Sequence, residues 1–349
     1  MTAPTIARPG VRFDLALSEN PFAPLPSVLT ALDGVMRQAH RYPEFLPDRL
    51  IEIIADHGGL EPDQVVVGAG ATGVALQIMH AVAGPGERIV FTAPTFDGYP
   101  ILARIAALDA VPVPILPDGG QDLTAMAAVI DDRTRLVVVC RPHNPTGTLV
   151  AAAELADFLR RVPERVVVVL DEAYVEFVEN RLVLDAHRIV AEHPNVVFLR
   201  TFSKAYGLAG LRIGYGFAAA ALARRIRALK LPFGMGSAAV PAVTASYSAE
   251  RELCTRVSAI VAEREKLWRT LRAAGMPVPR SHANFLYLPG AGVGDTLARA
   301  GIHARTYPSG DVRIAVGNPD AGRAVIDAIR PTVRGSAAVP RASASSGRA

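Results

Sequence analysis

Five apolar runs, rich in valine, recur at residues 65–68, 88–92, 136–140, 166–170 and 195–199. None of them alternates apolar with polar residues, and helical stretches separate them. Strands that read this way are buried on both faces, as in a mainly parallel sheet covered by helices. A sixth run, 213–217, follows the fifth too closely for a crossover helix, so it is expected antiparallel to its neighbour. The fold class is therefore α/β. Half of the 349 residues are hydrophobic, enough for one large domain and one smaller.

Charge and cysteine usage exclude several function classes. Of the net charge of +4, Arg334, Arg341 and Arg348 supply three in a stretch from Pro331 onward that has no acid. The rest of the chain carries no basic stripe, which argues against nucleic acid as a partner. Two distant cysteines, Cys140 and Cys254, make neither a disulfide framework nor a zinc site. No metal ligand set is expected. There is no basic-then-apolar leader and no uncharged apolar stretch of roughly 18 residues, so a cytoplasmic protein without a membrane span is expected.

Residues 1–40 read as an arm followed by a helix, 41–245 as a large domain, 246–330 as a small α+β domain and 331–349 as a disordered tail. Strands are expected at 284–288 and 311–316, and a last helix at 321–329.

Chemistry concentrates where the apolar runs end, which is where open α/β sheets hold ligands. Lys204 follows the fifth run, with the hydroxyls of Thr201 and Ser203 before it and the cation of Arg212 after it. An amine, hydroxyls and glycines that let the backbone approach closely suit a phosphorylated aldehyde held on lysine. Asp171 closes the run 166–170, and a carboxylate at the tip of an apolar strand needs a cationic partner. The loop Gly68-Ala69-Gly70-Ala71-Thr72-Gly73 fits G-x-G-x-x-G between a strand and a helix. Alone it is compatible with a dinucleotide or with a single phosphate at a helix N-terminus. The next strand ends in Thr-Ala-Pro rather than in an acid for a ribose, which favours the single phosphate.

These motifs, in this order, closely resemble the class I and II aminotransferases that use pyridoxal 5′-phosphate, and among them the histidinol-phosphate and aromatic amino acid branch. The resemblance covers roughly residues 10–330. It implies the fold type I architecture, a mainly parallel seven-stranded sheet between helices with a smaller α+β domain. It implies Lys204 as the cofactor-linked base, Asp171 opposite the pyridine nitrogen, and Tyr174 and Asn144 on the ring hydroxyl. Gly70, Ala71 and Thr72 would hold the phosphate, Thr201, Ser203 and Arg212 would also bind the cofactor, and Phe96 would stack on the ring. Tyr42 would reach the phosphate of a neighbouring subunit, which makes a homodimer with shared sites the expected assembly. Asn20, Arg305 and Arg313 would meet the substrate.

The implied reaction is a ping-pong exchange between an amino donor and 2-oxoglutarate, with histidinol phosphate and aromatic amino acids both expected as donors. Ala71-Thr72-Gly73 replaces the Ser-Asp-Glu of many histidinol-phosphate enzymes, which leans toward the aromatic branch. Arg141 and His143 replace two asparagine-loop positions without an evident role. The rival readings are a decarboxylase or lyase on the same fold, a non-catalytic cofactor-binding regulator, and a nicotinamide-dependent oxidoreductase.

Overall fold

The computed structural model describes residues 10–336. The first element of the described residues is a two-residue strand, β1 (Phe13–Asp14). The next seven strands are β2 (Val65–Ala69), β3 (Arg88–Ala93), β4 (Asp109–Pro114), β5 (Thr134–Cys140), β6 (Val167–Asp171), β7 (Val196–Thr201) and β8 (Ile213–Ala218). They form one sheet in the order β2-β8-β7-β6-β5-β3-β4. All neighbours are parallel except β8, which runs antiparallel to both β2 and β7.

The missing alternation has a direct cause. In β5 to β7, Leu136, Val138, Val167, Val169, Val197 and Leu199 face one apolar layer. Val137, Val139, Val168, Leu170, Val196 and Phe198 face the other. The helices Gly70–Val82, Gly98–Ile105 and Ala220–Arg227 cover the first face, and Leu123–Ala128, Ala152–Arg161 and Ala186–Glu192 the second. Both faces are dry, so the central positions of these strands are apolar. Truncating Phe158, 1% exposed in this core, to alanine should cost about 3–5 kcal/mol.

β4 is a strand the apolar pattern does not announce. It holds Pro112 and Pro114, and a proline removes a ladder donor. The sheet tolerates them because β4 is its edge and bonds only to β3.

The remaining strands are β9 (Phe285–Leu288), β10 (Ile302–His303), β11 (Arg305–Thr306) and β12 (Val312–Ala315). β12 lies between β11 and β9, antiparallel to both, and β1 pairs with β10. Both ends of the chain thus meet in one small unit, whose core joins Leu15 to Leu286, Ile314 and Val325. The long helix Glu250–Ala273 spans two cores: Leu253 and Ile260 pack with the large sheet's flank, Leu267 and Leu271 with the small unit. The last helix runs Pro319–Ser336, past the expected end at 329, so the first part of the expected tail is helical. Residues 337–349 of that tail lie outside the described residues. Among the described residues no helix is long and apolar enough to cross a membrane, and no cluster of metal-ligating side chains occurs.

Candidate active site

The C-terminal ends of the parallel strands and the start of β8 converge on a cavity of about 270 Å³. Ala71, Thr72, Phe96, Asn144, Asp171, Tyr174, Thr201, Ser203, Lys204, Arg212 and Arg313 all line it. The arm contributes Leu17, Ser18 and Glu19, so chain ends and sheet share one space.

Lys204 is strongly altered by its surroundings. Burial pushes its amine down to about 8, and the guanidinium of Arg313 adds to the effect. Arg212, the cation that follows it in sequence, is a smaller influence. The amine donates to the Ser18 carbonyl at 3.0 Å and lies 5.5 Å from the centre of the Tyr174 ring.

Asp171 ends β6 and is nearly buried. Tyr99 Oη donates to its Oδ2 at 2.6 Å and the Ala173 amide to its Oδ1 at 3.0 Å. Burial raises its proton affinity, and the Tyr99 bond opposes that most strongly. Tyr174 donates to Ser18 Oγ at 3.2 Å and accepts from Asn144 Nδ2 at 3.4 Å. Burial pushes the Tyr174 phenol up to about 12.

At the other end of the cavity, the helix Gly70–Val82 begins with no side chain capping it. Gly70 has φ +73°, and a Cβ there would stand 2.1 Å from Arg212 Nη2. Arg212 itself is left-handed at φ 52°; its carbonyl accepts from the Gly70 amide at 3.0 Å and its Nη2 donates to Thr72 Oγ1 at 3.2 Å. Thr201 Oγ1 donates to Ser203 Oγ at 2.9 Å. Free amides at a helix start, three hydroxyls and a guanidinium form an anion cradle.

Arg313, on β12, is buried; Nη1 donates to Asn144 Oδ1 at 2.7 Å and Nη2 to the Ala16 carbonyl at 2.9 Å. Its Nε has no partner among the described residues. The remaining sequence candidates lie off the lining. Asn20 clamps the lysine loop, donating to the Lys204 and Ala205 carbonyls at 3.0 and 2.9 Å. Arg305 is half-exposed and pairs with Asp97 at 3.0 Å at the cavity's edge. Tyr42 is 83% exposed, tilted against Phe233 at 4.7 Å, and lines a separate groove with Arg41 and Met235.

Sequence reasoning missed Ser18, Tyr99 and Cys140. Tyr99 stands three residues beyond Phe96, in the first turn of the helix Gly98–Ile105, and that closeness to the expected ring-stacking residue was the available signal. It also left His143 and Arg141 without roles. His143 is fully buried, bridging Thr92 Oγ1 at 3.0 Å and Thr146 Oγ1 at 2.8 Å. Arg141 binds the carbonyls of Val150 and Leu182 at 2.9 and 2.7 Å. Both hold loops and neither lines the cavity.

A mixed α/β sheet of this order, with a lysine, a strand-end carboxylate and an anion cradle around one cavity, defines a lysine-dependent cofactor enzyme. The model of the family "Aminotransferase class I and II" matches residues 12–329, and the chain belongs to that family. An aromatic amino acid aminotransferase of Cutibacterium acnes is 42% identical over 325 residues, 92% of each chain. One from Rhodococcus opacus is 44% identical over 310 residues, 88% of this chain and 86% of the relative. Among solved structures, the histidinol-phosphate aminotransferase of Sinorhizobium meliloti, in complex with pyridoxal-5′-phosphate, superposes with a TM-score of 0.85 at 27% identity. That match covers 93% of this chain and 92% of that one. Family membership sets the nicotinamide reading aside.

The donor set fits pyridoxal 5′-phosphate. A buried amine titrating near 8, a carboxylate at the strand end, an uncapped helix start beside Arg212 and an aromatic wall at Phe96 match its aldehyde, ring nitrogen, phosphate and ring face.

Proposed function

We propose that this aminotransferase takes aromatic amino acids as amino donors and a 2-oxoacid, 2-oxoglutarate, as acceptor. The carrying observation is Arg313: its buried guanidinium lines the cavity that holds Lys204, while Arg305 lies outside the lining and is paired with Asp97. A single planar fork suits one α-carboxylate. A phosphate dianion calls for more donors than Arg313 alone supplies. Leu17 offers an apolar wall for a ring. The names of the relatives at 42–44% identity support the same choice.

Bound pyridoxal 5′-phosphate would supply a ring that draws negative charge away from the substrate's α-carbon. Ala71, Thr72, Ser203 and Arg212 would hold its phosphate, Asp171 its ring nitrogen, and Asn144 with Tyr174 its ring hydroxyl. Lys204 has the depressed proton affinity a general base needs near neutral pH, so it would take the α-proton and return it. Arg313 would orient the donor by its carboxylate. Exposed Tyr42, remote from its own chain's cavity, would complete the site of a second copy in a homodimer. The division near residues 40, 245 and 330 is part of the same reading, with the arm and the small unit closing over the sheet.

The test is a single-turnover experiment. The cofactor-loaded protein is mixed separately with phenylalanine, tyrosine, histidinol phosphate and glutamate, and loss of the cofactor's visible absorption is followed. Phenylalanine and tyrosine are expected to react at least tenfold faster than histidinol phosphate. The reverse order would overturn the substrate assignment. Release of carbon dioxide in place of an oxoacid would overturn transamination.

A further inference from the structure

Tyr99 belongs to none of the groups assigned so far, yet it bonds directly to Asp171. Its side chain is 1% exposed, and its ring meets Phe96 edge-on at 5.7 Å. Its hydroxyl donates to Asp171 Oδ2 at 2.6 Å, while Cys140 Sγ stands 3.9 Å from the same oxygen. The Cys140 end of β5 is itself pinned: buried Gln121 donates to the Cys140 carbonyl at 2.7 Å and accepts from its amide at 3.1 Å. The carboxylate is therefore held from β5, from the helix Gly98–Ile105 and from the Ala173 amide.

We propose that Tyr99 is a positioning residue that acts through Asp171, fixing the carboxylate that faces the cofactor's ring nitrogen. The proposal rests on the reading that Asp171 faces that nitrogen. A hydrogen bond to a carboxylate stabilises its charged form and weakens its hold on a proton. A proton shared between Asp171 and a pyridine nitrogen is thereby tilted toward the nitrogen, the form in which the ring withdraws electrons. Burial alone would do the opposite, because it favours the neutral acid. The other titratable groups around Asp171 are Cys140, Tyr174, Lys204 and Glu172. Of these, Cys140 alone bonds to its carboxylate, and at longer range.

The first test uses apo-protein labelled at aspartate carboxyl carbon, with infrared bands assigned by difference against Asp171→Asn. In Tyr99→Phe the Asp171 carboxylate is expected to protonate about one pH unit higher than in the parent. The second is a cycle of cofactor affinities. Tyr99→Phe is expected to weaken pyridoxal phosphate binding about tenfold with Asp171 present, and less than twofold in an Asp171→Asn background. An unchanged titration, or an equal loss in both backgrounds, would reduce Tyr99 to a packing residue. Should Tyr99→Phe not fold, the hydroxyl proton of Tyr99 in labelled parent apo-protein supplies the readout. It should exchange slowly and vanish in Asp171→Ala, which leaves no acceptor, and its persistence there would overturn the proposal. If Asp171→Asn alone binds the cofactor as tightly as the parent, the underlying reading fails and not merely the role of Tyr99.

Discussion

Arg313 donates to Asn144 across 169 positions of sequence, at 2.7 Å, while its other terminal nitrogen holds the Ala16 carbonyl. One guanidinium thus joins the strand β12, the loop after β5 and the arm. The same group lowers the proton affinity of Lys204. It is at once a tie between the small unit and the sheet, a candidate carboxylate clamp, and a neighbour that makes the amine more reactive.

Replacing it tests the clamp. Lysine keeps the charge but loses the planar fork. Arg313→Lys should raise KM for aromatic donors and reduce kcat/KM by about 10²-fold, or ~3 kcal/mol. Arg305→Lys should change kcat/KM only a few-fold, because its half-exposed pair with Asp97 is worth about 0.5 kcal/mol or less. Steady-state kinetics of both variants decide; equal effects would remove Arg313 from its assigned place.

Covalent capture of the cofactor by apo-protein should depend on pH through Lys204. Only the neutral amine attacks, so the second-order rate should climb as pH rises through about 8 and level off above it. Burial is the larger cause of that low value and Arg313 the next. Arg313→Gln removes a repelling charge, so its midpoint should move up. Stopped-flow absorbance across pH 6–10 measures both; a midpoint that falls in the variant contradicts the assignment.

Gly70 is the point where the phosphate loop has least freedom. A Cβ would stand 2.1 Å from Arg212 Nη2, and φ of +73° strains any other residue. Gly70→Ala should weaken pyridoxal phosphate binding at least tenfold through displacement of Arg212. Fluorescence titration of the apo-protein is the check, and wild-type affinity would show that the cradle tolerates the shift.

Much of this was legible in sequence where one residue carries one role. Lys204, Asp171, Asn144 and Tyr174 fall at the ends of apolar runs, and the structure brings them to one cavity. β4 was not legible as a strand, because Pro112 and Pro114 mask a strand that survives only at a sheet edge. Tyr99 was read past because its task depends on which side of its helix meets Asp171, and packing sets that. Ser18 acts largely through its carbonyl, which every residue type has. Asn20, expected at the substrate, grips the backbone of the lysine loop, a contact that sequence spacing does not encode.

His143 gives the protein a pH-dependent stability that its sequence position does not suggest. Burial pushes its imidazole down to about 3, so it stays neutral in the folded protein. Its two ring nitrogens are engaged by the hydroxyls of Thr146 at 2.8 Å and Thr92 at 3.0 Å. In the unfolded chain the same imidazole titrates near 6.5. Below that value the unfolded state binds a proton that the folded state refuses. Stability from this group is therefore complete above about pH 6.5 and is lost as pH falls toward 3. Between pH 7 and pH 5 the loss should be ~2 kcal/mol. His143→Gln has no such titration, so the variant should be less stable than the parent at pH 7 yet lose less on acidification. Urea unfolding of both proteins at the two pH values isolates the difference from the carboxylates they share. Equal losses in parent and variant would mean that His143 takes up its proton without unfolding.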